Sequence, residues 1–177
     1  MNISISRVQD SLLEFLSQAG CEFQVVEHAP VHTIDEAMLA VPPVAGIKTK
    51  NIFVRDAKGK RHLLVVVPHD KQIDLGELAR VLPSTKLSMG SPERLQRCLG
   101  VSPGAVSLFS LVNDVNAVVE LVVDAPVWQA EHVQGHPLRN TATVSISHAA
   151  LLSFLAHVGH RATVIDVPFM AQRREHA

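Results

Sequence analysis

Three observations predict an α/β (α+β) domain built on a mixed β-sheet flanked by helices. Helical and strand-like segments are interspersed along the 177 residues without a strict βαβ rhythm. The run Leu63-Leu64-Val65-Val66-Val67 has no alternation, which marks a strand buried on both faces. The segment Asn51 to Arg55, the turn Asp56-Ala57-Lys58-Gly59 and that run together spell a β-hairpin with a charged, solvated tip.

From the N-terminus, Val8, Leu12, Leu13, Phe15, Leu16 and Ala19 fall at helical spacing and Gly20 supplies the stop, so an amphipathic helix over 4–19 comes first. A short strand follows from Phe23 to Val26. Thr33-Ile34-Asp35-Glu36 reads as a capping box, with Thr33 accepting from the Glu36 amide and Glu36 reaching back to that of Thr33. The helix it opens should run to Ala40, ahead of Pro42-Pro43. After the hairpin, short helices are predicted at Leu75 to Val81 and at Pro92 to Leu99, the second capped by Ser91 and closed by Gly100. Strands recur at Ala117 to Val123 and Thr141 to Ser145. Ser147 caps a helix over 148–157, Gly159 ends it, and Ala162 to Asp166 offers a last strand. The tail beyond Pro168, with Arg173-Arg174-Glu175, should fray. No repeat or linker divides the chain, so 1–177 is expected to be a single domain.

Composition narrows the function. The chain is 47% hydrophobic and 19% charged with a net charge of −1, which argues against a general nucleic-acid coat protein. No uncharged apolar run reaches about 18 residues and the N-terminus does not look like a signal peptide, so a cytoplasmic protein without a membrane partner is expected. Cys21 and Cys98 lack CxxC spacing and read as small core hydrophobes. Charge is concentrated in one place. Residues 48–61 hold six bases (Lys48, Lys50, Arg55, Lys58, Lys60, Arg61) and one acid (Asp56), a local charge of +5 in a chain whose remainder is acidic. Exposed charges beyond about 10 Å are screened at moderate salt, so a polyanion would sense that stretch above all.

Phosphate-binding loops are absent: there is neither GxxxxGK[ST] nor GxGxxG after a strand, and no serine lies in a GxSxG elbow. The ten histidines include the pairs His28/His32, His132/His136 and His157/His160, but none carries the HExxH glutamate and two of the pairs sit in apparent loops, so no metal site is expected. His157 and His160 read as helix-end cations or surface groups. Three segments remain. Lys50-Asn51 stands at the entry to a strand, where a lysine meets phosphate as a point charge while an asparagine both donates and accepts. Gly135-His136-Pro137-Leu138-Arg139-Asn140-Thr141-Ala142-Thr143 is a polar turn in which the following proline restrains His136. Leu99-Gly100-Val101-Ser102-Pro103-Gly104-Ala105-Val106-Ser107-Leu108-Phe109 is a glycine-punctuated loop whose amides can approach a developing negative charge. Turn chemistry and a solvated edge lysine are the plainer readings of the same residues.

In this order and spacing, the three segments resemble the YbaK and prolyl-tRNA-synthetase-associated (INS-like) editing domain family, and most of all its freestanding members that clear alanine mischarged on proline tRNA. The resemblance runs from His28-Ala29-Pro30 and Thr33-x-x-Glu36, through Lys48-Thr49-Lys50-Asn51-Ile52-Phe53, Leu99-Gly100-Val101-x-Pro103-Gly104 and Leu111-Val112-Asn113-Asp114, to His136-Pro137-Leu138-x-Asn140-Thr141-Ala142-Thr143. It implies a mostly antiparallel, curved mixed sheet and a cofactor-free hydrolase of the ester between an amino acid and the tRNA 3′ end. It further implies that Lys50 binds the phosphate near the terminal adenosine, that Asn51 holds the substrate end, and that His136 orients the ester or the attacking water. Gly104, Ala105, Phe109, Pro137, Asn140 and Thr141 would surround the substrate, with the Gly104 loop offering amides to the ester carbonyl. The basic residues of 48–61 would meet the tRNA, delivered by prolyl-tRNA synthetase or an elongation factor, and DNA would not be a partner. A ribose hydroxyl of the substrate is thought to assist water, so no protein nucleophile is required. The family's glycine loop usually reads GxxxP, whereas Leu108 stands at that proline position. That exchange is expected to loosen the loop and make the pocket more apolar, leaving cysteine, serine or another small residue as alternatives to alanine. Two other classes stay open: a noncatalytic RNA-binding module using 48–61, and a histidine-ligated metal hydrolase.

Overall fold

The computed structural model describes residues 4–170, in which six helices and eight strands form two sheets. In chain order these are α1 (Ser4–Gln18), β1 (Phe23–Glu27), α2 (Ile34–Ala40), β2 (Thr49–Arg55), β3 (His62–Pro68), α3 (Leu75–Val81), β4 (Ser88–Met89), α4 (Pro92–Leu99), β5 (Val119–Asp124), α5 (Ala125–Gln129), β6 (His132–Gly135), β7 (Ala142–Ser147), α6 (His148–Val158) and β8 (Ala162–Ile165). The five-stranded sheet has the order β4-β2-β3-β5-β8 and the three-stranded sheet the order β1-β7-β6. The smaller sheet is wholly antiparallel; in the larger one β3–β5 and β5–β8 are parallel. Of the tail expected to fray beyond Pro168, Phe169 bridges Ile73 and the Met170 amide donates to the Gln72 carbonyl (2.9 Å), so the chain is paired to that point; 171–177 and the side chain of Val8 lie outside the described residues.

The hairpin forms as its sequence predicts, with Lys50 opposite Val67 and Arg55 opposite His62. β3 is central, and its side chains divide between two cores. Leu64 and Val66 join the main core, formed with residues of α1, α4 and α6, while Leu63, Val65 and Val67 pack with Leu78 and Ala79 of α3 on the other side. A fully buried Val or Leu contributes about 1.5–3 kcal/mol, so the absence of alternation in this strand is a large part of what holds the layers together. The tip is less solvated than expected. Asp56 is buried because its Oδ1 accepts from the amides of Lys60 (2.7 Å) and Arg61 (3.0 Å). The Arg61 amide, chiefly, holds that carboxyl below its ordinary range.

Caps fall where side-chain chemistry puts them. Ser91 and Ser147 accept from the amides of Arg94 and Ala150, and Gly100 and Gly159 close α4 and α6 in the left-handed region. The α2 box differs in one arm. Thr33 accepts from the Glu36 amide, but Glu36 takes the amide of His32 (2.7 Å) and not that of Thr33.

One isolated bridge, Ile47 to Val133, joins the two sheets. Beyond it the strands part, and the Thr49 hydroxyl donates to the Gln134 carbonyl at 2.7 Å, a side chain standing in for a ladder amide. That divergence opens the molecule at the start of β2.

Candidate active site

A cleft of about 330 Å³ occupies the opening. Its walls are the lead into β2 (Lys48 to Asn51), the end of β6 (Gln134 to His136), the turn at Pro103-Gly104 with Val106, one side of α2 (Thr33, Ala37, Met38), His69 and Thr143. Three segments separated widely in sequence thus meet around one hollow.

His136 is the group there best suited to proton transfer. Its Nδ1 lies 3.1 Å from the Ala142 carbonyl oxygen, which can only accept, so Nδ1 carries the hydrogen. Burial, ahead of the neighbouring His28, pushes the imidazole below its usual 6.5 despite that bond. The ring is therefore neutral at pH 7, and its Nε2 holds a lone pair. Its backbone is braced as well, since Ser107 Oγ donates to the His136 carbonyl at 2.6 Å. His28, 6.5 Å away ring to ring, donates from Nδ1 to its neighbour's carbonyl and sets Nε2 3.0 Å from the Thr143 hydroxyl.

Asn51 and His69 border the same space. Asn51 Oδ1 and His69 Nδ1 are buried and take no partner among the described residues, although buried polar atoms are nearly always paired. Lys50 also borders the cleft, but its Nζ donates to the Lys71 carbonyl beside the end of β3. Burial lowers its ammonium below the ordinary lysine range and the nearby Asp70 carboxylate opposes that. Lys48 Nζ sits 3.1 Å from the Met38 sulfur, between β2 and α2.

The glycine loop is a 3-10 turn, Pro103–Ala105, followed by a second over Leu108–Asn113. The Ala105 amide is taken by the Ser102 carbonyl (3.0 Å); that of Gly104, in the first turn, has no intrahelical acceptor. A Cβ at Gly104 would meet nothing within 4 Å, so the fold itself does not require glycine there. Close approach by a bound molecule would. Leu108 is buried in the main core and does not line the cleft, so it makes the pocket no more apolar. Nor is the loop loosened at that point. Ser107 caps the second turn by accepting from the Phe109 amide, and Ser110 accepts from the Ser107 amide.

Other expected substrate residues stand behind the cleft. Phe109 is fully buried, edge-on to Phe154 at 5.5 Å, because β6 passes so close that a Cβ at Gly135 would lie 3.0 Å from its ring. Ala105 packs toward the main core and Pro137 is buried. Asn140 and Thr141 hold residues 28–31 through the Val31 amide (3.3 Å) and the His28 amide (3.0 Å). They shape the wall without facing the hollow.

The basic run is divided by the hairpin that carries it. Lys48 and Lys50 are at the cleft; Arg55, Lys58, Lys60 and Arg61 are at the other end, since six steps of strand span about 20 Å. Arg61 is held bidentately by Glu120 (2.8 Å for each bond), and Arg55 donates to the carbonyls of Asp56 and Ala57.

The histidine pairs also separate. His132 lies in β6 and not in a loop, and His160 is buried against Asp114 at 2.9 Å, not on the surface. Among the described residues no three His, Cys, Asp or Glu side chains converge as metal ligands would. Gln134 and His69 had no signal in the sequence, and Ser107 and Thr143 fell inside marked segments without a role of their own. Ser107 and Gln134 matter through backbone contacts made only in the folded chain, as when Gln134 Nε2 donates to the carbonyls of Val44 (2.8 Å) and Gly46 (2.9 Å) to hold the lead into β2.

Comparison with known proteins gives a consistent result. The model of a family described as the aminoacyl-tRNA editing domain matches residues 28–154. The prolyl-tRNA editing protein ProX of Acetoanaerobium sticklandii is 36% identical over 159 residues, covering 90% of this chain and 97% of its own. The prolyl-tRNA synthetase associated domain-containing protein 1 of Danio rerio is 34% identical, covering 90% of this chain and 87% of its own. The multifunctional Ser/Thr-tRNA deacylase ProXp-y of Escherichia coli K12 is 31% identical over 102 residues, 56% of this chain and 60% of its own. Among solved structures, a candidate trans-editing enzyme for prolyl tRNA synthetase superposes with a TM-score of 0.67 at 18% identity, covering 96% of this chain and all of its own, a likeness of fold.

Proposed function

This chain belongs to the aminoacyl-tRNA editing domain family, and from that premise we propose that it is a trans-editing deacylase that removes alanine from proline tRNA, acting as a single domain over 1–177. The observation that carries the proposal is a neutral His136 with its Nε2 lone pair on the wall of a cleft that Lys50, Asn51 and Gly104 also border. Nε2 takes a proton from water as the water oxygen adds to the ester carbonyl, assisted by the neighbouring ribose hydroxyl of the substrate. The Gly104 amide donates to the oxyanion, a contact worth about 3–4 kcal/mol in acyl transfer. Collapse expels the 3′ ribose oxygen, which takes the proton, and frees the amino acid. An aminoacyl ester is already activated, so this modest apparatus suffices.

Asn51 Oδ1, buried and without a partner among the described residues, suits the substrate's ammonium group, and Lys50 suits the phosphate next to the terminal adenosine. Alanine is favoured over proline by size, the smaller residue entering a hollow that excludes the larger. The names of the relatives support prolyl-tRNA and, in one, Ser/Thr-tRNA as substrates of those proteins. A deacylation panel of alanyl, cysteinyl, seryl and prolyl esters on proline tRNA tests the proposal. Alanyl ester should be cleared fastest and prolyl ester spared. Preference for seryl or cysteinyl ester would reassign the amino acid, and no cleavage of any ester would leave a noncatalytic RNA-binding module. A cytoplasmic place and delivery by prolyl-tRNA synthetase or an elongation factor go with this reading.

The depressed His136 titration sets a pH expectation. Because its folded pKa lies below 6.5, the lone pair is kept as pH falls from neutrality to 6.5 and is lost only at more acid pH. The enzymatic rate, with spontaneous ester hydrolysis at each pH subtracted, should approach a plateau above pH 6.5 and reach its half-value only below it. A midpoint above that value would remove His136 as the base.

A further inference from the structure

The far end of the hairpin gathers more positive charge than the 48–61 run supplies. Arg94, in the first turn of α4, lies against the tip: its Nη1 donates to the Gly59 carbonyl at 3.2 Å and sits 3.0 Å from His62 Nε2. Arg97 follows at i+3 on the same side of α4. After burial, the charges of these two arginines are the main causes that push the His62 imidazole below its ordinary range. Thr85 accepts the Ala57 amide at 3.1 Å and Ser88 pairs with Arg55, so Lys86 is flanked by contacts with the tip on either side.

Little acid balances them. The Asp56 carboxylate is buried on backbone amides and Glu120 is engaged with Arg61, which leaves Glu93 on α4. Among the described residues, none of Arg55, Lys58, Lys60, Lys86, Arg94 and Arg97 is in an ion pair. Lys58, Lys60, Lys86 and Arg97 are exposed.

We infer that this end of the molecule is a second RNA-contact surface, which takes the phosphodiester backbone of the acceptor-stem duplex while the cleft takes the unpaired 3′ end. The inference rests on the deacylase reading for the identity of the RNA. Asn51 at the cleft and Arg55 at the tip end of the hairpin lie on one face of β2, and the four strand steps between them span about 13 Å. A few unpaired nucleotides bridge that distance, and paired phosphates arrive next. The patch offers no stacking platform for single-stranded bases. Its two rings, Phe53 and His62, are buried and stacked on each other at 5.7 Å. Cations on flexible stems without exposed aromatics suit a duplex backbone read by charge and shape.

The test is the triple variant Lys58→Ala, Lys60→Ala, Arg97→Ala, which spares Arg55 and Arg94 because they hold backbone carbonyls. Two readouts are needed: binding of uncharged proline tRNA across a salt series, and deacylation of alanyl-tRNA beside the alanyl ester of a CCA trinucleotide. Binding should weaken about tenfold, with a salt slope shallower by about two to three, near one for each phosphate that is no longer neutralised. KM for alanyl-tRNA should rise with kcat unchanged, and the trinucleotide should be cleaved as by the wild type. Unchanged tRNA affinity and slope would overturn the inference and leave the patch to an acidic protein. Equal losses on tRNA and trinucleotide would also overturn it, placing the effect in the cleft or the fold. A wild type that binds tRNA through the patch but cleaves no ester would sink the assigned activity while the surface stands.

Discussion

His136→Ala should lower kcat/KM for deacylation by about 10²–10⁴-fold, the range expected when a positioned general base is removed. The loss should fall on kcat more than on KM, because the proton moves only in the transition state. Activity should not vanish, since the Gly104 amide and the substrate's own ribose hydroxyl remain. The substitution also strips the Ala142 carbonyl of its partner, a cost of about 1–3 kcal/mol when such a group is buried. A melting curve therefore belongs beside the kinetics. Ser107→Ala separates the two effects from another direction. It leaves the imidazole in place and removes the hydroxyl that fixes the His136 carbonyl, so it should reduce kcat less than His136→Ala and keep the same acid limb of the pH profile. An H136A enzyme that is folded and within a few-fold of wild type would show that water is positioned by other groups, and general-base catalysis by His136 would fall.

How much of this was legible in the sequence depends on the range of the interactions involved. The hairpin, the doubly buried β3 and the caps at Ser91, Ser147, Gly100 and Gly159 follow from local chemistry, and the fold has them. The β6 strand and α5 are four and five residues long, too short for any periodicity to show, and β4 has only two. The split of the sheet had no local signal either, because it follows from a single bridge at Ile47. At the site, Lys50, Asn51, Gly104 and His136 were marked by residue type and order, and they border one cleft. Phe109, Pro137, Asn140 and Thr141 were marked the same way and stand behind it. Pro137 follows the cleft-lining His136, but the turn after β6 buries its ring and carries Asn140 and Thr141 toward residues 28–31, while Phe109 lies in the second 3-10 turn, packed into the core. Charge spacing misled for a related reason. A run of cations close in sequence is spread along a hairpin about 20 Å long, while Arg94 and Arg97, more than thirty residues further on, return to its tip.

Lys50→Ala carries the second large effect, a fall in kcat/KM on alanyl-tRNA of about 10–100-fold, the worth of one or two kcal/mol or somewhat more for a charge-assisted bond to phosphate. The geometry makes this prediction specific. Without phosphate, the ammonium rests on the Lys71 carbonyl with Asp70 near, and Lys71 in turn reaches Asp124 at 2.6 Å beneath the end of the sheet. An arriving phosphate must draw the ammonium from that carbonyl toward the cleft that the Lys50 stem already borders. Burial has lowered its proton affinity, but a dianionic or monoanionic neighbour favours the charged form and restores it. The loss should therefore depend on the substrate. It should be present with alanyl-tRNA and with a short alanyl ester that keeps the phosphate on the 5′ side of the terminal adenosine, and nearly absent with alanyl-adenosine, which lacks it. Lys50→Arg should recover part of the rate, since the charge is kept and the reach is similar. If Lys50 only pins the turn at Lys71, the outcome differs: Lys50→Ala would lower the melting temperature, all three esters would lose rate equally, and the phosphate contact would be excluded.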